Sequence, residues 1–394
     1  MTDDKLLEQE RKMSGREYTG NEMKYLAEVL KSGRLSSLNG GTFVPRFEEA
    51  FAKLLGAKYA VAINTCMSAL HAGVLCANAG CGSEVICDSE FIFGSMAVLY
   101  NNAIPVFVDI DPVTHNMNPD GIKAAITDCT KAVIVTHAWG LPAEMDRIVE
   151  IAKRHGLLVI EDCAESLLAD YKGRYTGTWG DVGCFSFQAS KQLSIGDGGM
   201  ATANTEDFQK QIAAQAGAPT FMSVAYNLDF NYRMNESSAA IGLAQIEVMP
   251  AFIEKLKANA RYYDEAVAGC PWIRLQRGPE GANHSFYHWA ATFVGDDGEL
   301  GEFKKSVEGA GFSSVSIGYT NMPAYKHPLI ANRSAHAFHC PENAGHSGKY
   351  DDGTCPVAEH VIPRLVLGYV VEPEETAKRE AEKLHQLIRR LQGG

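Results

Sequence analysis

The chain has 394 residues, 46% of them hydrophobic and 21% charged, enough to bury a large core in two domains or in one large and one small. Its formal net charge of −12 at pH 7 lacks the basic footprint of a nucleic-acid enzyme, and an anionic ligand needs a locally organised site to overcome that field. No run of about 18 apolar residues occurs, and the charged opening MTDDKLLEQERKM lacks the apolar core of a signal peptide, so a soluble cytoplasmic protein without membrane contact is expected.

In chain order, short apolar runs predict strands at 58–63, 84–88, 104–109, 132–136, 157–162, 182–187 and 199–203. Runs of this kind are strands buried on both faces, the habit of mostly parallel sheets covered by helices, so residues 57–204 read as a three-layer α/β domain. Residues 144–155 form an amphipathic helix ended by Gly156. The texture changes after about residue 235. Periodicity predicts helix over 236–265, with Pro250 marking a kink or a break. A strand is expected over 284–294 and a charged terminal helix over 373–391. The intervening 327–356, rich in His, Asn, Gly and Pro, reads as a long loop.

The ten cysteines form no C-x-x-C pair, which argues against a zinc ribbon or a thioredoxin-type motif. Cys66, Cys76, Cys81, Cys87, Cys129, Cys163 and Cys184 fall mostly in apolar runs and read as small buried hydrophobes rather than disulfide partners. His284 and His288 are four apart, but their surroundings read as strand and no third ligand is evident, so no metal is expected. His327, His336, His339 and His346 read as parts of a solvated loop.

Three segments carry chemistry. In 181–199, DVGCFSFQASKQLSIGDGG, Lys191 follows a buried strand and precedes a turn in which Gly196, Gly198 and Gly199 allow close backbone approach. A lysine that forms an imine must be held away from bulk water and partly deprotonated, which such a pocket can arrange. In 157–165, Asp162 ends an apolar strand at the sheet edge where ligands collect. It reads equally as a helix cap and as the acid that keeps a cofactor's pyridine nitrogen protonated. In 63–71, INTCMSALH, a strand gives way to a helix whose free N–H groups suit a phosphate.

These segments, with FEEAFAKLLGAKYAVAIN, PVFVDID, NYRMNESSAAIGLAQIE and the late CPVAE, resemble the DegT–StrS sugar aminotransferases of the fold-type I pyridoxal-phosphate (PLP) enzymes from about residue 20 onward. The resemblance implies an N-terminal segment and large PLP-binding domain over 1–250 and a smaller C-terminal α/β domain over 251–394. It makes Lys191 the cofactor-bound lysine and proton shuttle, and Asp162 the partner of the pyridine nitrogen. Glu165 stands near the phenolic oxygen, Ser186 binds phosphate, Phe91 stacks on the ring, and Asn231 reaches into a neighbouring subunit's site. Where the family has Ser-Gly-Thr this chain has Thr65, Cys66 and Met67, and 87–91 lacks the family's Pro and Thr. The implied activity is transfer of an amino group from glutamate or glutamine to a nucleotide-linked keto-sugar or a keto-cyclitol, in a homodimer with shared sites. PAYKHPLI and CPVAE bear some likeness to the inosose and aminohydroxybenzoate branch. The alternatives are a PLP-dependent sugar dehydratase, which has histidine in place of the lysine, and a catalytically silent binding or regulatory protein.

Overall fold

The computed structural model describes residues 20–217, 230–346 and 348–392; the charged opening 1–13 lies outside them. Seven strands form the main sheet: β1 (Tyr59–Ile63), β2 (Glu84–Asp88), β3 (Ile104–Val108), β4 (Thr130–Thr136), β5 (Leu158–Asp162), β6 (Val182–Ser186) and β7 (Gly199–Ala203). Their order is β1-β7-β6-β5-β4-β2-β3, and only β7 runs against its neighbours. The near-continuous apolar runs have their reason here, because Ile86, Val133, Ile134, Val135 and Ile160 are wholly buried between helical layers.

Among the helices that precede residue 217 are α1 (Asn21–Ser32), α2 (Phe43–Leu55), α3 (Cys66–Cys76), α4 (Ile92–Tyr100), α5 (Met145–His155) and α6 (Glu206–Gln215). Helix α5 ends as its sequence requires, with Gly156 at φ 67 donating its N–H to the carbonyls of Ala152 and Lys153. Helix α3 is buried almost all round, and Gly73 lets it settle on the sheet: a Cβ there would stand 3.1 Å from a methyl of Ile160.

Beyond them, α7 (Glu236–Ile246) and α8 (Met249–Ala266) are separate helices. Pro250 therefore marks a break, sitting in the first turn of α8, where a missing N–H costs nothing. A second, antiparallel sheet contains β8 (Ile273–Leu275), β9 (His288–Phe293), β10 (Val315–Ile317) and β11 (Leu365–Tyr369) in the order β8-β9-β11-β10. Helices α9 (Asp297–Ala310) and α10 (Glu374–Gln392) accompany it. One continuous core joins Phe47 and Phe51 of α2 to Tyr263, Trp289 and Leu384.

Two expectations need correction. The strand predicted over 284–294 begins only at His288, because Phe286 takes φ 52 and the His284 ring stacks on its ring at 3.8 Å. The stretch 327–356 is no solvated loop. It is a chain of short helical turns whose Ile330, Ala337, Cys340, Tyr350 and Cys355 are buried. Asn343 ties it down, its amide donating to the carbonyls of Asn102 and Ala337 and its oxygen accepting from Gly82 N–H. Side-chain-to-backbone bonds of this kind order a segment without leaving a period in its sequence.

Candidate active site

A cavity of about 340 Å³ opens at the C-terminal ends of the parallel strands, the edge where open α/β sheets take ligands. Five strands contribute at their ends: Thr65, Cys66 and Met67 after β1, Phe91 after β2, Thr136 on β4, Asp162 and Glu165 at β5, Ser186 and Lys191 at β6. Eight of the nine residues singled out in the sequence meet here.

Asp162 is 2% exposed. Its Oδ1 accepts the N–H of Ala164 at 3.0 Å and faces the Cys66 thiol at 3.8 Å. Burial pushes its carboxyl up to about 6, and the carboxylates of Asp88 and Glu165 add to that, while Ala164 N–H and Lys191 oppose it. No helix follows Asp162, so the helix-cap reading does not hold: residues 163–169 are turns, and the Ala164 bond closes one of them while engaging only one oxygen.

Lys191 lies in the turn after β6, its N–H bonded to the carbonyl of Gln188. Nζ is 3.3 Å from Glu165 Oε1 and 4.0 Å from the centre of the Tyr287 ring. Glu165 is itself oriented, because Oε2 accepts Trp139 N–H at 3.0 Å. The lysine is withdrawn from water, as expected. Burial works against its charge, yet Glu165, Tyr287, Tyr319 and Asp162 outweigh it and lift its pKa above the usual lysine range.

The phosphate-binding candidates surround the start of α3. Thr65 caps that helix, its Oγ1 accepting Ser68 N–H at 3.1 Å, so the first turn's N–H groups end at the cavity. Gly199 makes this possible: a Cβ there would fall 2.7 Å from the Thr65 carbonyl carbon and 2.8 Å from Cys66 N. Gly196 serves differently, supplying φ 90 in the turn after Lys191. Ser186 lines the same cavity.

Phe91 is presented by a device that the sequence did not reveal. Asp88 accepts the N–H groups of Glu90 (3.0 Å) and Phe91 (2.8 Å) on one oxygen and the Thr136 hydroxyl (2.6 Å) on the other. It holds the turn that the family builds with Pro and Thr. Tyr287, Tyr319 and Ser190 were also missed. Tyr287 and Tyr319 line the cavity, and Ser190 Oγ bonds Tyr287 Oη at 2.9 Å. The two tyrosines come from the C-terminal half, and no local pattern links them to Lys191.

Asn231 stands apart. It is exposed, takes φ 58 beside Gly217, and does not line this cavity. His284 and His288 do not converge: His284 accepts Phe286 N–H and meets Gln276, whereas His288 packs its ring on Trp139 and Tyr369. Burial drives both imidazoles down to about 3, so both are neutral. Among the described residues one trio of potential metal ligands clusters, His137, Glu161 and Cys163. Its atoms are already engaged. His137 Nδ1 accepts Ala143 N–H, so Nε2 carries the proton and donates to Glu161 at 3.0 Å.

The donor set fits pyridoxal phosphate. A helix N-terminus and Ser186 suit an anionic tail, Asp162 a protonated ring nitrogen, Phe91 an aromatic face and Lys191 an aldehyde. Fold and site together define a PLP-dependent aminotransferase of fold type I. The chain belongs to the DegT/DnrJ/EryC1/StrS aminotransferase family, whose sequence profile matches residues 17–347. It is 38% identical over 253 residues to the GDP-perosamine synthase of Caulobacter vibrioides, covering 63% of this chain and 68% of that protein. It is 31% identical over 350 residues to the UDP-N-acetyl-3-dehydro-alpha-D-glucosamine 3-aminotransferase of Acidithiobacillus ferrooxidans, 88% of each chain. Among solved structures, an aminotransferase from Psychrobacter cryohalolentis superposes with a TM-score of 0.83 at 26% identity, covering 96% of this chain and 98% of that one. No described helix is long and apolar enough to cross a membrane.

Proposed function

We propose that the enzyme transfers an amino group from glutamate or glutamine to a keto group on a nucleotide-linked sugar, as a cytoplasmic homodimer with shared sites. The observation that carries the reading is the Lys191 amine, buried 3.3 Å from Glu165 in the cavity that also holds Asp162. The nucleotide-sugar acceptor is supported by the names of the two relatives above. A keto-cyclitol is the second acceptor to test.

Bound pyridoxal phosphate supplies an aldehyde for amine exchange and a ring that draws electrons from the substrate α-carbon. Lys191 moves the proton between that carbon and C4′ of the cofactor. Asp162 keeps the ring nitrogen protonated. Glu165 hydrogen-bonds near the phenolic oxygen and orients Lys191. Phe91 packs on the ring, and Ser186 holds the phosphate with Thr65 and the N–H groups of Cys66 and Met67. Asn231 acts in the partner's site, a role supported by its position outside its own cavity. Dimerisation is also supported by exposed apolar side chains, among them Met23, Leu30, Tyr100 and Phe230.

Purified enzyme with PLP and glutamate or glutamine is offered nucleotide-linked keto-sugars and inososes, with products read by mass spectrometry. Borohydride reduction in the presence of PLP labels Lys191; a label on another lysine overturns the assignment. For the shared site, Lys191→Ala and Asn231→Asp are each inactive or weak in PLP binding. Random subunit exchange then restores about a quarter of wild-type activity, because half the dimers are mixed and each has one intact site. No recovery after exchange, verified by native mass spectrometry, returns Asn231 to its own chain's site.

A further inference from the structure

At the edge of the molecule, the turn after α3 meets the excursion that runs through residues 334–350. Gly82 N–H donates to Asn343 Oδ1 at 2.6 Å, and a Cβ on Gly82 would stand 3.7 Å from Cβ of Glu342. Between these backbones Cys81 Sγ and Cys340 Sγ lie 3.1 Å apart, although the residues are separated by 259 positions. Cys81 is exposed and Cys340 buried. The backbone contacts on either side exist without any bond between the sulfurs, so joining them asks little of the chain.

We infer that Cys81 and Cys340 form a reversible disulfide, a modification site whose co-reactant is a small-molecule disulfide such as oxidised glutathione. Cys81, the thiol that solvent reaches, attacks one sulfur of the oxidised glutathione as its thiolate and releases one glutathione thiolate. The protein then carries a mixed disulfide at Cys81. Cys340 attacks the Cys81 sulfur, and the second glutathione thiolate leaves. The protein gives up two electrons and two protons, and both glutathiones leave reduced. The order of attack follows from exposure, since solvent reaches Cys81 and Cys340 is buried beside it.

A metal explains the pair less well. His336 Nδ1 is 3.7 Å from Cys340 Sγ. These three side chains nevertheless do not form a cluster of mutually close ligand atoms, the one such cluster among the described residues being His137, Glu161 and Cys163. The bond would close a loop of 259 positions, the geometry in which a cross-link most restricts the unfolded chain.

The full-length enzyme is equilibrated with reduced or oxidised glutathione, quenched by alkylation and read by intact mass and peptide mapping. Oxidation is expected to remove two hydrogens, link the peptides of Cys81 and Cys340, reverse with dithiothreitol, and raise Tm by about 3 °C or more. Cys81→Ser, a change at the surface, abolishes all four effects. Four results overturn the proposal: no loss of two hydrogens, linkage of a different pair, a stable glutathione adduct on wild-type Cys81 with Cys340 free, or release of one zinc per chain on thiol alkylation.

Discussion

Glu161 and Asp162 are neighbours on β5, equally buried, and they serve opposite ends. Successive side chains of a strand point to opposite faces. Glu161 points away from the cavity, and its oxygens are fully occupied by Gly180 N–H at 2.6 Å, Gly177 N–H at 2.8 Å and His137 at 3.0 Å. It pins the loop before β6 to the sheet. Asp162 points into the cavity with one backbone bond and a thiol nearby, and burial raises its pKa. A buried carboxylate consumed by the protein is structure. One left open at a strand end is available for chemistry.

The largest test of that contrast lies across the cavity. Lys191→Ala is expected to abolish transamination and the visible absorbance of lysine-bound PLP, with Tm little changed. Residual turnover near wild type removes Lys191 from the chemistry. Next, Asp162→Asn should lower turnover by more than ~100-fold, about 3 kcal/mol of transition-state stabilisation. Because it also removes a penalised buried charge, the cofactor-free protein should melt at the same temperature or higher. Glu161→Gln reverses the pattern. It leaves a backbone N–H without its carboxylate, costs about 2 kcal/mol and lowers Tm by about 2 °C, with turnover per folded molecule unchanged. If the two variants behave alike, the contrast is wrong.

A pH series sharpens it further. Asp162 in the cofactor-free protein titrates near 6, and PLP binding favours its ionised form. The sign follows: above pH 6 the carboxylate is already charged, and below it a proton must leave, so PLP affinity falls about tenfold per pH unit. The cofactor's own phosphate titrates in the same range, so the readout is the difference from Asp162→Asn, whose slope should be shallower by one proton. Equal slopes remove Asp162 from the cofactor's ring nitrogen. The smallest effect belongs to the cup. Met67→Thr restores the family's hydroxyl and is expected to tighten PLP by about threefold, on the scale of a single hydrogen bond, without changing the acceptor. Unchanged binding means that Thr65, which already caps α3, supplies what the cup needs.

Much of this was legible in the chain. Seven buried strands reveal themselves because burial on both faces demands uninterrupted apolar runs. Lys191, Asp162 and Ser186 stand out because each sits where such a run ends, and a parallel sheet gathers its strand ends at one edge. Asp88 was hidden. It too ends a predicted strand, but its work depends on Thr136 from another strand, which no local pattern shows.

By itself the sequence determined the sheet, the order of its strands' contributions to the cavity edge, and the family. These depend on hydrophobic period and on short motifs, which act between near neighbours. Only the tertiary structure decided that 327–356 is packed rather than solvated, that Tyr287 and Tyr319 complete the Lys191 pocket, and that Cys81 meets Cys340. It also decided which of two adjacent carboxylates is left open. Each of those outcomes is a contact between distant segments, and such a contact leaves no period or spacing along the chain.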